Sequence, residues 1–180
     1  YVMFTTSLKD IEEIRSGNLM ALPLDPTLYA WKKAWSSACT GSDCQGLAPY
    51  FWNSVRIVVP AVIISTVVGA FNGYALAKWK FKGSELLFGA LLFGCFIPFQ
   101  VILLPMAKLL GELGLANTVT GLVLVHVIYG VAFTTLFFRN YYVGIPTELV
   151  KAAKLDGAGF LSIFRHIFIP LSTPIFVVTI

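Results

Sequence analysis

The chain has 180 residues, about the length of one domain, and a formal net charge of +4. Counted with Gly and without Tyr, apolar residues are about 62% of it, against roughly 45–50% in soluble domains, and charged residues are 12%, about half the usual share. So few charges cannot cover a water-facing surface, which excludes an ordinary soluble domain; the same figures exclude disorder, and three cysteines are too few for a disulfide scaffold.

The apolar opening Tyr1 to Phe4 has no basic segment before it, so it reads as the tail of an earlier span and not as a signal peptide. Ile175 to Ile180 lie inside an unfinished apolar run. The chain is therefore expected to be an internal piece of a longer one, cut at both ends. Residues 1–7 would end one membrane helix, 8–52 would form an outer loop, and 53–180 would form the membrane domain. The loop is too long for a bare connection, which predicts a short helix around 27–37.

Crossing about 30 Å of hydrocarbon takes about 20 helical residues. Three stretches of that length carry no Asp, Glu, Lys or Arg: Ile57 to Leu76, Leu86 to Ala107, and Leu113 to Phe138. The last opens on a turn at Gly114 and Asn117, and a fourth run begins at Ile167. In lipid each segment must satisfy its own backbone, so these are expected to be helices. The ten-residue alternation of an outer-membrane barrel is missing. Pro60, Pro98, Pro105, Pro170 and Pro174 predict kinks or helix ends. The fold class that follows is all-α, a polytopic transmembrane helical bundle.

Basic residues orient it. Lys78, Lys80 and Lys82 follow the first full span, and Arg139, Lys151, Lys154 and Arg165 follow the third, against Glu148 and Asp156. The loop between the second and third spans holds only Lys108 and Glu112, and residues 8–52 are slightly acidic. Positive loops stay in the cytoplasm, which puts 78–84 and 139–166 inside and 8–52 and 108–117 outside. Trp52 and Trp79 bracket the first span as interfacial anchors. The net charge is this loop bias and gives no nucleic-acid footprint.

The loop at 139–166 is the most informative segment. Thr147 is suited to cap a helix, with Glu148 in its first turn. Leu149, Ala152, Ala153 and Asp156 fall on one face, which the alanines make shallow, and Gly157 is free to end the helix in a left-handed turn. A second apolar stripe follows at Phe160, Ile163, Phe164 and Ile167, with Arg165 and His166 at the water boundary. Such a cytoplasmic helix–turn–helix offers an apolar face either to a docked partner or to the lipid surface.

The stretch Ile145-Pro146-x-Glu148-Leu149-x-x-Ala152-Ala153-x-x-Asp156-Gly157-Ala158, followed by Phe164, Ile167 and Pro170-Leu171-x-x-Pro174, resembles the "EAA" loop of ABC importer permeases. More narrowly it is similar to the carbohydrate-uptake branch, the class of the smaller maltose-type permease. Asn53-Ser54, Ala75-Leu76-Ala77, Phe81-x-Gly83, Pro98-x-Gln100 and Leu115-x-Asn117-Thr118 extend the resemblance over 53–180, and Ser7-Leu8-Lys9 match the end of the family's first span. One position departs: Lys151 stands where the motif has its leading Glu. The resemblance implies a multi-pass inner-membrane subunit of a sugar importer. It would work with a second permease, a dimer of ATPase subunits and a periplasmic sugar-binding protein. It also implies that Glu148, Lys151, Ala152, Ala153, Asp156, Gly157 and Phe164 form a coupling helix docked on the ATPase. ATP and Mg would then be bound by that partner, with no cofactor in this chain.

Gln100, Asn72 and His126 are polar groups at membrane depth, suited either to a solute path or to hydrogen bonds between helices. Cys39 and Cys44 frame a short outer loop that an oxidising periplasm would let close as a disulfide, whereas Cys95 reads as packing. No Gly-Lys-Ser/Thr phosphate cradle, metal-ligand spacing or catalytic triad is present, which argues against an enzyme. An ion-coupled secondary transporter is the alternative, weakened because His126 alone could couple an ion within the spans.

Overall fold

A computed structural model of the chain describes residues 1–41, 43–79 and 81–180. Lys80, counted above among the inner-loop charges, lies outside them. The described residues are helical, without strands; one isolated bridge joins Thr40 and Asp43. The chain divides into two units, Tyr1–Val55 and Arg56–Ile180.

The first unit holds α1 (Val2–Ser7), α2 (Ile11–Ser16) and α3 (Tyr29–Ser36), together with the opening turns of α4 (Ala48–Lys78). Asp10 caps α2 by accepting from Ile11 N at 2.8 Å. Lys9 is buried and donates from Nζ to Asn18 O at 3.0 Å, with Glu13 Oε1 at 3.9 Å. The α3 helix falls within the expected 27–37. Cys39 and Cys44 are joined by a disulfide.

The second unit takes the rest of α4, then α5 (Ser84–Phe96), α6 (Phe99–Glu112), α7 (Val119–Val143), α8 (Thr147–Leu155) and α9 (Phe160–Ile163). A π-helical turn, Phe164–Phe168, leads into α10 (Ile169–Leu171) and α11 (Thr173–Thr179). Among the described residues, two helices, α4 and α7, are each long and apolar enough to cross a membrane. The first charge-free stretch lies within α4, and the third lies within α7 from Val119 onward. Thr118 caps α7, its Oγ1 accepting from Gly121 N at 3.0 Å, after a turn in which Gly114 and Asn117 take positive φ.

The second stretch, Leu86 to Ala107, forms two helices, with the break at Pro98, one of the prolines expected to kink or end a helix. It is broken between α5 and α6 by a bend of 101°. The cause is local. Pro98 disfavours helical backbone at the residue before it, and Ile97 is extended (φ −72°, ψ 120°). Pro60 and Pro105, by contrast, lie inside their helices. The fourth run is also bent, by 73°, between α10 and α11.

The α4 and α7 helices meet through small residues, a contact that sequence reading missed. Ser65, Gly69 and Gly73 recur every fourth residue on α4. A Cβ at Gly69 would lie 2.1 Å from Thr134 Oγ1, and one at Gly73 would lie 2.7 Å from Arg139 N. Thr134 uses the close approach to donate to Ser65 O at 2.9 Å. Small residues at every fourth position are how helices approach closely in lipid.

Candidate functional site

The loop after α7 is built into the second unit's core. Ala70 and Tyr74 of α4, Phe138 and Tyr142 of α7, and Ile163, Phe168 and Ile175 beyond the loop form one buried cluster, which Ile145 and Val150 of the loop join. Three sets of polar contacts hold this arrangement. Lys78 Nζ at the end of α4 donates to Ile145 O at 2.6 Å. Tyr74 Oη donates to Phe160 O at 3.1 Å. At the far end Tyr141 Oη donates to Leu171 O at 2.6 Å, and the buried Ser172 hydroxyl bonds both Tyr142 Oη, at 2.9 Å, and Phe168 O.

The α8 helix divides into two faces. Val150 is buried and Ala153 packs against the core, while Leu149, Lys151, Ala152, Lys154, Leu155 and Asp156 are exposed, Leu155 at 90%. The single face read from the sequence is therefore split: Ala153 turns inward while Leu149, Ala152 and Asp156 stay outward. Thr147 is the first helical residue and not the cap; Pro146 holds the cap position, where the missing N–H leaves no orphan donor. Thr147 instead donates its hydroxyl to Glu148 Oε1 at 3.3 Å. The Glu148 backbone N–H, above all, holds its carboxyl below the usual carboxylate range, with further help from Thr147, Lys151 and Lys78.

Gly157 ends α8 with φ +80°. Its N–H donates to Lys154 O at 3.1 Å, and the next N–H, of Ala158, reaches back to Ala153 O at 2.9 Å. This paired closure of the last carbonyls requires a left-handed residue, which only Gly adopts freely.

Beyond the turn, Phe164 is not on a free face. Its ring stacks on Tyr74 at 5.1 Å and meets Phe71 edge-on at 5.6 Å. Phe160 packs between Tyr74 and Trp79, and Lys154 lies over the Trp79 ring at 5.7 Å. The buried residue that follows Ile163 is Phe168, five positions on, where the sequence pattern pointed to Ile167 at four. The π turn adds one residue to the repeat and rotates Phe168 into the core, leaving Ile167 half-buried.

The three polar residues at span depth are not brought together. Asn72 is half-buried on α4 and Gln100 is exposed in the first turn of α6. His126 is exposed on α7, its Nδ1 2.7 Å from Leu122 O of its own helix. None of them lines the cavity of about 530 Å3 between the α5–α6 elbow and α7, which is walled by Cys95, Phe96, Phe99, Tyr129 and Phe133 among others. No group of three or more His, Cys, Asp or Glu suited to a metal occurs among the described residues.

Residues 61–180 match the family of binding-protein-dependent transport system inner membrane components. A probable ABC transporter permease of Pyrococcus horikoshii is 46% identical over 108 residues, which are 59% of this chain and 39% of that protein. The diacetylchitobiose uptake system permease of Streptomyces coelicolor is 32% identical over 169 residues, 94% of this chain and 53% of its own. The chain thus spans about half the length, or less, of these relatives. A bacterial ABC transporter involved in import of the acidic polysaccharide alginate, known from its crystal structure, covers all of this chain with 60% of its own, at a TM-score of 0.69 and 24% identity; the likeness is one of fold. With two thirds of its length matched by the family model, this chain belongs to the inner-membrane permease components of binding-protein-dependent ABC transporters.

Proposed function

We propose that the chain is the part of a carbohydrate importer's permease that converts closure of a cytoplasmic ATPase into a change of access across the membrane. One observation carries this reading: α8 is bonded and packed into the same core as α4, α7 and the segments after the loop, yet it keeps an outward face of Leu149, Ala152 and Leu155 uncovered. A rod with one face locked to the spans and the other free can pass on a rigid-body displacement. In this reading Glu148, Lys151 and Asp156 rim the docked face, and Gly157 fixes the rod's length. Ala153 and Phe164 transmit the movement inward.

The loops rich in Lys and Arg face the cytoplasm and residues 8–52 the periplasm, with α5 and α6 together counting as one broken span. A second permease subunit would enclose Asn72, Gln100 and His126 along a solute path. ATP and Mg would bind to the ATPase dimer, and a periplasmic binding protein would deliver the solute. A carbohydrate is favoured by the diacetylchitobiose permease, which matches nearly the whole chain. Family membership leaves the ion-coupled alternative without support.

The test is uptake by the complete transporter in proteoliposomes. The reading expects accumulation of a labelled oligosaccharide that needs both ATP inside and binding protein outside. Accumulation driven by a proton or sodium gradient alone would refute it, and uptake of a non-carbohydrate solute such as a betaine in its place would refute the substrate class.

A further inference from the structure

The first unit carries a feature that transport does not explain. The α3 helix buries none of its residues, and Leu28, Trp31 and Trp35, which share one side at helical spacing, are all about half exposed. Yet α3 is not loose. Trp31 Nε1 donates to Ser7 Oγ at 3.1 Å, and Thr27 N donates to Leu8 O at 2.8 Å, tying it to the end of the apolar helix α1. On the other side Leu47 N donates to Ala34 O at 2.9 Å and Gly46 N to Ala38 O at 3.0 Å, tying it to the start of α4. Gly46 has φ +72°, and its missing Cβ would collide with Trp35 O at 2.1 Å, so the return is tight. The Cys39–Cys44 disulfide closes it.

These ties hold α3 beside the opening turns of α4. Trp35 packs on Phe51 at 5.3 Å, and Phe51 on Trp52 at 5.6 Å. Phe51 and Trp52 lie six and five residues before Ile57, where the charge-free run begins. At 1.5 Å per residue that is about 9 and 7.5 Å outside the hydrocarbon edge, close to the ~5–8 Å headgroup layer on each side of a bilayer. Trp and Tyr concentrate in that layer because their rings are apolar and their N–H or O–H groups need water. Tyr29 and Lys33 fall on the other side of the helix, with Lys33 Nζ 6.0 Å from the Tyr29 ring, while Lys32 flanks the apolar face beside Leu28.

We propose that α3 and its disulfide-closed return lie in the headgroup layer of the bilayer at the N-terminal end of α4, with Leu28, Trp31 and Trp35 inserted toward lipid. The occupant of this face is a lipid surface, because the face is continuous with a membrane-spanning helix and made of interface-seeking side chains. The device sets the depth at which α4 enters the membrane, and the disulfide holds it there.

The test uses the full-length permease in its assembled transporter, in phosphatidylethanolamine–phosphatidylglycerol vesicles. Nitroxides are placed in turn by Leu28→Cys, Trp31→Cys and Lys33→Cys, with Cys95→Ala and other free thiols removed. The readout is the ratio of collisions with oxygen, which partitions into lipid, to collisions with a water-soluble nickel chelate. We expect that ratio to be at least threefold higher at 28 and 31 than at 33. Joint Cys39→Ser and Cys44→Ser replacement should bring it to within twofold of the value at 33 while leaving helical circular dichroism unchanged. Equal ratios at the three sites would overturn the proposal. So would nickel-accessible labels at 28 and 31 that become shielded only when the soluble binding protein is added, which would make the face a protein dock. An unchanged ratio in the double serine variant would overturn the role given to the disulfide. Placing two sites in the lipid arm keeps the result decisive if one label disturbs its neighbourhood.

Discussion

Replacing Gly157 tests the coupling rod most sharply, because the structure isolates one cause. A Cβ at this position would meet nothing within 4 Å, so no side-chain clash enters. What remains is the backbone: φ is +80°, and a non-Gly residue there costs roughly 1–2 kcal/mol, more when β-branched. At 1–2 kcal/mol the closed turn loses about 5- to 30-fold in population relative to an opened one. Opening it gives up the bonds of Gly157 N and Ala158 N to Lys154 O and Ala153 O. The α8 helix then keeps its contacts but loses its fixed end. The expected order is Gly ≈ Asn > Ala > Val, since Asn tolerates left-handed backbone. The assay is the number of ATP molecules hydrolysed per solute imported by the reconstituted transporter, with membrane insertion checked by cysteine accessibility. Gly157→Val should raise that number several-fold with insertion intact, and Gly157→Asn should restore it. Full coupling in Gly157→Val would refute the reasoning, and an Asn variant as poor as Val would show that the position does not act through its backbone.

Two further outcomes follow from the packing. Gly69→Ala forces a Cβ to within 2.1 Å of Thr134 Oγ1, so α4 and α7 must separate by about an ångström. Overpacking of this kind costs about 1–3 kcal/mol, read as a lower thermal unfolding temperature in detergent, whereas Gly111→Ala, in open space on α6, should leave that temperature unchanged or slightly raised. Lys78→Met keeps the aliphatic stem but removes the charged donor at 2.6 Å from Ile145 O, a loss of about 1–3 kcal/mol. It should increase protease cleavage at 143–147 and weaken coupling, while Lys82→Met, in the following loop, should do neither.

The sequence was most legible where one physical requirement dominates. Charge-free length marks α4 and α7, because hydrocarbon tolerates few charges, and the Gly157 turn follows from the freedom of glycine alone. The second span was legible only in part: Pro98 marks the break, but a bend of 101° reflects packing that no local rule contains. Counting apolar residues at a period of 3.6 chose Ile167, because the π turn that brings in Phe168 leaves no mark in composition. Ala153 was placed on the docking face for a related reason: spacing identifies a stripe, while contact with the core decides which edge of it is covered. The ladder of Ser65, Gly69 and Gly73 was written in the sequence at a spacing of four and could have been found. The bonds from Lys78 to Ile145 and from Tyr74 to Phe160 join residues 67 and 86 positions apart, beyond the reach of any local pattern.

The central claim, that the outward face of α8 is held by an ATPase, is tested most directly by photo-cross-linking in intact membranes. A photoreactive side chain replaces Leu155, which is 90% exposed, and in a second variant Val150, which is buried on the opposite face. Position 155 should capture the transporter's ATPase subunit, and position 150 only the permease itself. Capture of lipid alone from position 155 would contradict it.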